Sequence, residues 1–307
     1  MLRYACLRLA LALPTMLGVL VLVVALLHAV PGDPVDVILG ERASHADREA
    51  LRHELGLDRP AWRQLVDFTA GALRGDLGRS LTTSRPVSEL IAERYPATLE
   101  LAGAALVIAL VVGVPLGMAA AARPGSRIDR FGVLLAALQT ALPTFCLGPL
   151  LQLGLAVELP LFPVSGRRGL DSLVLPAATL GFGMSALLAR QLRSSLLDAL
   201  ALDCVRTARA RGLSPALVLL RHALPNAATA TVTVLALQLG GLLAGAIVTE
   251  TVFSWPGLGR LLVQAIGARD YPLVQGCVLV VAASYVAVNL LADLVQAALD
   301  PRLRERA

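Results

Sequence analysis

Long apolar segments separated by arginine-rich stretches constrain this sequence more than any other feature. Apolar residues make up 56% of the chain, whereas only 16% of the residues are charged. About 20 consecutive apolar residues let a helix cross the hydrocarbon core of a bilayer. We therefore predict an all-α polytopic membrane protein with six transmembrane helices, over the ranges Leu9–Val30, Pro96–Ala122, Phe131–Val157, Leu173–Leu188, Ala228–Val248 and Leu273–Leu299.

Arginines at the ends of these segments predict how the chain is oriented. All 27 basic residues are arginines, and short loops that carry such residues stay in the cytoplasm. They precede the first segment and follow the second, fourth and sixth, at Arg3, Arg8, Arg123, Arg127, Arg130, Arg190, Arg193, Arg304 and Arg306. We therefore predict that both termini are cytoplasmic. The charged segment from Pro31 to Tyr95 then forms a small extracytoplasmic subdomain.

Several function classes are disfavoured by what the sequence lacks. A P-loop ATPase needs a lysine in its phosphate-binding motif, and this sequence has no lysine. The four cysteines and four histidines lack metal-ligand spacing. We therefore predict a protein that is not an enzyme and that holds no metal or cofactor. Because the arginines lie beside apolar spans, we assign the net charge of +5 to membrane orientation and predict no nucleic-acid partner.

A polar, arginine-rich stretch between two apolar segments, called here the polar island, covers Asp203–Asn226 and lies in a predicted cytoplasmic segment, residues 196–226. Helix-forming residues fill Leu196–Arg211, and Gly212 then offers the left-handed conformation that ends a helix. A second helix is predicted to follow, because Ser214–Pro215 can cap and open it. Pro225 is expected to break that helix before the next span.

The polar island resembles the cytoplasmic signature of the permease subunits of ABC importers. That signature reads Glu-Ala-Ala, three residues, Gly, nine residues, Ile, one residue, Leu-Pro. The corresponding positions here hold Arg206-Thr207-Ala208, Gly212, His222 and Leu224-Pro225, so the glutamate and the isoleucine are absent. The run from Thr207 to Leu213 is similar to the branch of the family that imports peptides and nickel.

This resemblance implies a type I ABC importer permease fold, in which residues 1–95 hold the first helix and the subdomain and residues 96–300 hold five helices. It also implies two separate P-loop ATPase subunits, a second similar permease and an extracytoplasmic substrate-binding protein, in contact with membrane lipid. The ATPase-coupling residues are expected to be Asp203, Arg206, Thr207, Ala208, Arg209, Arg211, Gly212, Leu213, Leu217, Leu220, Leu224 and Pro225.

A second family-like stretch begins at Glu250 and continues to Arg260. From its residues alone it predicts an aromatic anchor at the membrane interface, a tight turn and a short helix ending at Ile266. The resemblance implies a loop that dips toward the pore from the outer side, with Glu250, Phe253, Trp255, Pro256, Gly257 and Gly259 at the outer face. Glu250 is either a contact for substrate or receptor, or a solvated carboxylate at a helix end.

Polar residues inside the apolar segments are candidates for the transport pathway. We predict Gln139, Gln152 and Gln238 as pore-lining candidates, although a glutamine can equally bond across packed helices. Gly241 and Gly245 form a G-x-x-x-G pair that lets another helix approach closely.

The function predicted from these patterns is import of di- or oligopeptides across the bacterial inner membrane, driven by separate ATPase subunits. Import of nickel or a metal chelate by the same machinery is the alternative within the family. An ATPase-independent secondary transporter or channel is the alternative of another class. Such proteins usually show internal repeats or charges at mid-bilayer, and neither is clear here.

Overall fold

The computed structural model describes residues 2–29, 34–39, 44–54 and 58–299, and within these ranges it contains helices and no β-strand. The helices are α1 Leu2–Ala29, α2 Pro34–Leu39, α3 His45–Glu54, α4 Ala61–Leu73, α5 Val87–Ala122, α6 Arg127–Ala141, α7 Thr144–Leu151, α8 Leu170–Leu200, α9 Asp203–Ala210, α10 Pro215–Val218, α11 Leu224–Val252, α12 Leu258–Gly267 and α13 Tyr271–Leu299. Two π-helical segments, Gln152–Glu158 and Leu219–Ala223, follow α7 and α10. Leu55-Gly56-Leu57 and the residues from Asp300 onward lie outside the described residues.

Three of these helices, α5, α8 and α13, are long and apolar enough to cross a membrane on their own. Two bent pairs raise the number of candidate spans to as many as five. The first pair joins α6 to α7, with a bend of 104° at the break. Pro143 lies at that break, and the residue before it, Leu142, is extended rather than helical, as expected for a residue that precedes proline.

Two predicted helix boundaries are wrong. Pro96 does not open the second span, because α5 begins at Val87 and continues through the proline. Arg85 pairs with Glu93 across the first turns of α5 and supports this early start. The fourth span, predicted as Leu173–Leu188, is the longer helix α8. The part of α8 beyond Leu188 continues because its leucines, Leu192 among them, are buried in the protein core.

The chain divides into two compact units. One contains Leu99–Trp255, and the other contains Cys6–Thr98 and Pro256–Val286. In the first unit, small residues let α5 and α8 approach closely. A Cβ atom added at Gly113 or Gly117 would lie 2.8 Å from a backbone oxygen of α8, and one added at Gly181 would lie 2.8 Å from Ile108. Gly113 and Gly117 form a G-x-x-x-G pair that was not predicted from the sequence. A Cβ at Gly241, which belongs to the predicted pair, meets nothing within 4 Å in the described part of the chain.

In the second unit, a buried carboxylate joins the loop before α5 to the start of α13. Asp270 is fully buried and accepts hydrogen bonds from the hydroxyl groups of Ser80, at 2.5 Å, and Thr82, at 2.9 Å. It also accepts from the backbone N–H of Leu273, at 3.3 Å, and so caps α13. This network fixes where the last helix begins.

Candidate functional site

The polar island consists of two short helices attached to the end of α8. The predicted single helix over Leu196–Arg211 is interrupted, because α8 ends at Leu200 and α9 begins at Asp203. Leu202 is extended at the junction. The turn lets Leu196 of α8 and Val205 of α9 both face the same core, and both are fully buried.

Gly212 ends α9 as predicted. Its φ angle is +77°, in the left-handed region that favours glycine, and its N–H donates to the Arg209 carbonyl at 2.9 Å. The next helix also starts as predicted, since the Ser214 hydroxyl accepts from the Leu217 N–H at 3.4 Å and Pro215 occupies the first turn. The change of direction in the island is therefore set locally by the sequence.

Pro225 does not break the helix that precedes it, contrary to the prediction. The chain passes from the π-helical segment Leu219–Ala223 directly into α11, where Pro225 lies in the first turn. A π-helical turn changes the hydrogen-bond register, so a proline without an N–H can follow it. The Asn226 side chain donates to the His222 carbonyl at 2.7 Å and occupies one of the freed acceptors.

One face of the island is held by the rest of the unit. Val205, Ala208, Val218 and Ala223 are buried in a cluster with residues of α5 and α8. Leu213 and Leu224 are partly buried against the same cluster. Of the predicted coupling residues, Ala208, Leu213 and Leu224 therefore contact their own chain.

The opposite face of the island is exposed. Arg206 is 73% exposed and forms a 3.4 Å ion pair with Asp203, and Leu220 is 51% exposed. Thr207, Arg209, Arg211 and Leu217 are exposed as well. Three arginines and two leucines thus form a surface that suits an acidic partner with an apolar groove.

The start of the family-like loop after α11 is buried, which corrects two interpretations. Glu250 is fully buried and is not a solvated carboxylate. Phe253 and Trp255 are 1% and 0% exposed, so they do not anchor the chain at a lipid interface. Phe253 packs with Ala156 and Leu175, and its carbonyl accepts from the Gly166 N–H at 2.8 Å.

The remainder of this loop belongs to the second unit. Pro256 and Gly257 precede α12, which ends one residue beyond the predicted Ile266. The Leu258 N–H donates to the Thr98 hydroxyl at 2.8 Å, and Gly259 is buried. The hydrogen bond thereby fixes the first turn of α12 to Thr98 of α5.

Arg167 is a residue that sequence reasoning missed. Its guanidinium lies 2.7 Å from the Glu100 carboxylate and 6.0 Å from the centre of the Trp255 ring. Glu100 lies well inside α5. The arginine thereby ties the loop before α8 to both α5 and the end of α11.

Replacing Arg167 with methionine should loosen that loop. An exposed ion pair and a cation–π contact together contribute about 1 kcal/mol, which corresponds to about fivefold faster local opening. The measurement is hydrogen–deuterium exchange of peptides covering residues 160–169. Arg168→Met is the matched control, because Arg168 is exposed and adjacent. Equal exchange in both variants would show that the Arg167 contacts do not hold the loop.

The three candidate pore glutamines lie in different surroundings. Gln152 donates to the carbonyls of Val164 and Val252, at 2.8 and 3.4 Å, and so bonds across packed segments. Gln139 is half-buried beside Gly183. Within the described residues, the buried side-chain nitrogen of Gln238 has no hydrogen-bond partner. Pore lining by these residues stays a prediction.

The described residues contain no cluster of three or more His, Cys, Asp or Glu side chains placed to hold a metal ion. An ion pair joins α6 to α8, where Arg193 donates to both oxygens of Asp129 at 2.5 and 2.9 Å. Asp129 also accepts from the Gly125 N–H at 2.8 Å. This arrangement fixes the loop between α5 and α6 onto α8.

Comparison with protein families identifies what this helical arrangement is. A profile described as "Binding-prot-dependent transport system membrane comp, N-term" matches residues 1–102, and one described as "Binding-protein-dependent transport system inner membrane component" matches residues 113–305. The chain belongs to this family of inner-membrane permeases. It is a multi-pass protein of the bacterial inner membrane, and the resemblance seen in the polar island is confirmed.

Curated relatives cover the whole length of this permease. It is 42% identical to the dipeptide transport system permease protein DppB of Escherichia coli K12, with 100% of each chain covered. It is 41% identical to the glutathione transport system permease protein GsiC of Pectobacterium atrosepticum, with 99% of each chain covered. Both relatives are permease subunits of transport systems.

Solved structures support the predicted fold. The MetNI methionine ABC transporter matches with a TM-score of 0.60 at 21% identity, over 71% of this permease and 100% of that chain. An amino acid ABC transporter matches with a TM-score of 0.52 at 18% identity, over 70% and 94% of the two chains. The permease therefore has the all-helical fold of type I ABC importers.

Proposed function

We propose that this permease moves dipeptides or short oligopeptides across the inner membrane as part of an ABC importer. The observation that carries the proposal is the full-length identity of more than 40% to permeases named for dipeptide and glutathione transport. Glutathione is itself a small peptide, so both relatives point to the same substrate class. Separate P-loop ATPase subunits supply the energy, and a substrate-binding protein delivers the peptide.

The proposed topology has six spans and cytoplasmic termini. Up to five candidate spans come from the described helices, and α1, with its apolar stretch Leu13–Leu26, supplies the sixth. The division at residue 95, with the first helix and the outer subdomain before it, remains part of this proposal. A second, homologous permease forms the other half of the pathway.

In this proposal the polar island is the coupling segment. Its exposed arginines, Arg206, Arg209 and Arg211, pair with acidic groups on an ATPase subunit, while Leu217 and Leu220 enter an apolar groove. Its buried face packs on α8, so movement of the ATPase is passed to a membrane-spanning helix. The outer-face loop from Glu250 to Gly259 serves the opposite side, toward the pore and the receptor.

Replacing Leu220 with glutamate should weaken the complex with the ATPase. A charge in an apolar groove without a partner costs several kcal/mol, so recovery of the ATPase subunits in a pull-down should fall at least tenfold. The experiment is purification of the detergent-solubilised permease from its native membrane and identification of what co-purifies. Leu73→Glu is the control, because Leu73 is 81% exposed in the segment proposed to lie outside.

Two results would contradict the proposal. Equal recovery of ATPase subunits with both variants would show that Leu220 is not at the interface. Recovery of the permease alone, together with solute uptake by liposomes containing only this chain, would favour a secondary transporter. Uptake of labelled dipeptide and of nickel by the complete reconstituted system separates the two substrate classes.

A further inference from the structure

A cavity of about 260 Å³ lies in the second unit, within the part that the proposed topology places at the outer face. It is a partly open cavity, lined by α4, by the turn that follows α4 and by the first residues of α13. The polar island and the outer-face loop do not contribute to its lining. The roles proposed above for this permease therefore leave the cavity unexplained.

Gln275 of α13 is the first indication that this cavity binds a ligand. The residue lines the cavity and is only 6% exposed. In the part of the chain that the structure describes, its carboxamide makes no hydrogen bond. The residue lines the cavity, and its carboxamide offers a donor and an acceptor side by side. A ligand with an amide group would satisfy both.

The charges around the cavity indicate the second feature of the ligand. Arg59, Asp67 and Asp76 line it, so its walls carry one guanidinium and two carboxylates. Arg59 lies 3.2 Å from Asp67, and one oxygen of Asp76 accepts from the Gly78 N–H at 2.8 Å. The second oxygen of Asp76 and the net charge of the lining favour a ligand that carries an ammonium group.

Apolar side chains form most of the remaining lining, from Phe68, Leu77, Leu81 and Pro272, and Gln64 and Tyr271 add two further polar residues. The cavity is also small. Sites for drug-sized ligands occupy roughly 300–1,000 Å³, so a cavity of about 260 Å³ suits a smaller molecule. A primary amine, an amide and a modest apolar side chain are the three groups that the lining can contact, and the first two residues of a peptide carry all three.

The wall that carries Asp76 is rigid. The Asp76 N–H donates to the Gly71 carbonyl at 2.9 Å, and Gly75 has a φ angle of +82°. A Cβ atom at Gly71 would lie 2.9 Å from the Asp76 carbonyl oxygen. Glycine at this position thus permits the close turn that brings the carboxylate to the cavity, and little ordering is needed when a ligand binds.

We propose that this cavity binds the amino-terminal end of a short peptide. The peptide ammonium group contacts Asp76, its first amide pairs with the Gln275 carboxamide, and its first side chain contacts Phe68 and Leu77. The inference rests on the proposed function for its ligand class, and it assigns to the permease itself a peptide site outside the transport pathway and the coupling segment.

The test measures binding of L-leucyl-L-alanine to the full-length permease, purified in detergent without partners, by ligand-observed saturation-transfer NMR. Gln275→Met removes the amide at nearly constant volume and should raise the dissociation constant about fivefold. Gln296→Met makes the same change elsewhere on α13, away from the cavity, and should leave the dissociation constant unchanged. Asp76→Asn keeps an oxygen for the Gly78 N–H and should weaken binding about tenfold.

A measurement on the unaltered chain makes the test independent of variant folding. N-acetyl-L-leucyl-L-alanine lacks the ammonium group and should bind about tenfold more weakly. Equal binding of the free and acetylated peptides, or equal effects of Gln275→Met and Gln296→Met, would overturn the proposal. Uptake by the reconstituted importer without binding to the isolated permease would overturn the cavity site and support the proposed function. Binding to the isolated permease without uptake by the reconstituted importer would support the cavity site and contradict the proposed function.

Discussion

Replacing Gly212 with valine is expected to reduce peptide uptake by the complete transporter at least tenfold, with little change in the amount of permease in the membrane. The φ angle of Gly212 is +77°, and a Cβ there meets nothing within 4 Å. The effect therefore comes from backbone strain, which costs about 1–3 kcal/mol for a residue other than glycine and more for a β-branched one. The island relieves that strain by changing the angle between α9 and α10.

The measurement pairs uptake of labelled dipeptide with ATP hydrolysis in the same proteoliposomes. We expect hydrolysis to continue while uptake falls, because a misplaced island still contacts the ATPase but passes less movement to α8. Gly125→Val is the matched control, since Gly125 also has a φ angle of +77°, has nothing within 4 Å of its added Cβ and lies outside the island. Gly212→Asn should retain most uptake, because asparagine tolerates the left-handed region.

Wild-type uptake by the Gly212→Val variant would show that the island does not couple the two processes. An equal loss in Gly125→Val would have the same consequence, because it would attribute the defect to general instability. A loss confined to Gly212→Val identifies the turn between α9 and α10 as the element that transmits movement.

Local features of the island could be predicted from sequence because they depend on a few adjacent residues. The glycine at 212, the cap at Ser214 and the proline at 215 each act within one helical turn, and the structure has all three as predicted. The family resemblance rested on the same stretch. The all-helical membrane character was equally accessible, since it follows from the length of the apolar segments.

Features that depend on distant contacts could not be predicted in this way. The burial of Trp255 and Glu250 is decided by segments remote in sequence, such as the loop whose Gly166 bonds to Phe253. The Arg167–Glu100 pair likewise joins two elements that no local pattern connects. Pro96 and Pro225 were misjudged because a local rule places proline at a helix boundary. The structure has each of them inside a continuous helical segment, where the surrounding helix outweighs that rule.

Replacing Gly117 with isoleucine should have the largest effect on folding. A Cβ at this position would lie 2.8 Å from the Ala189 carbonyl oxygen, 3.1 Å from the Leu192 Cβ and 3.2 Å from the Ala189 Cα. Two of these atoms are backbone of α8, so the clash can be relieved only by moving the helices apart. Overpacking of this kind costs about 3 kcal/mol or more of the free energy of unfolding, and we expect little folded permease to be recovered.

Gly103→Ile separates this contact from the general effect of isoleucine in a helix. Gly103 lies in the same helix, α5, and a Cβ there meets nothing within 4 Å. Both variants gain the same helix propensity and apolar surface, so a difference between them measures the contact with α8. The readout is the fraction of monodisperse protein in size-exclusion chromatography and its melting temperature. Equal behaviour of the two variants would mean that α5 and α8 do not pack through Gly117. A defect confined to Gly117→Ile would show that close approach of these backbones holds the helix that carries the polar island.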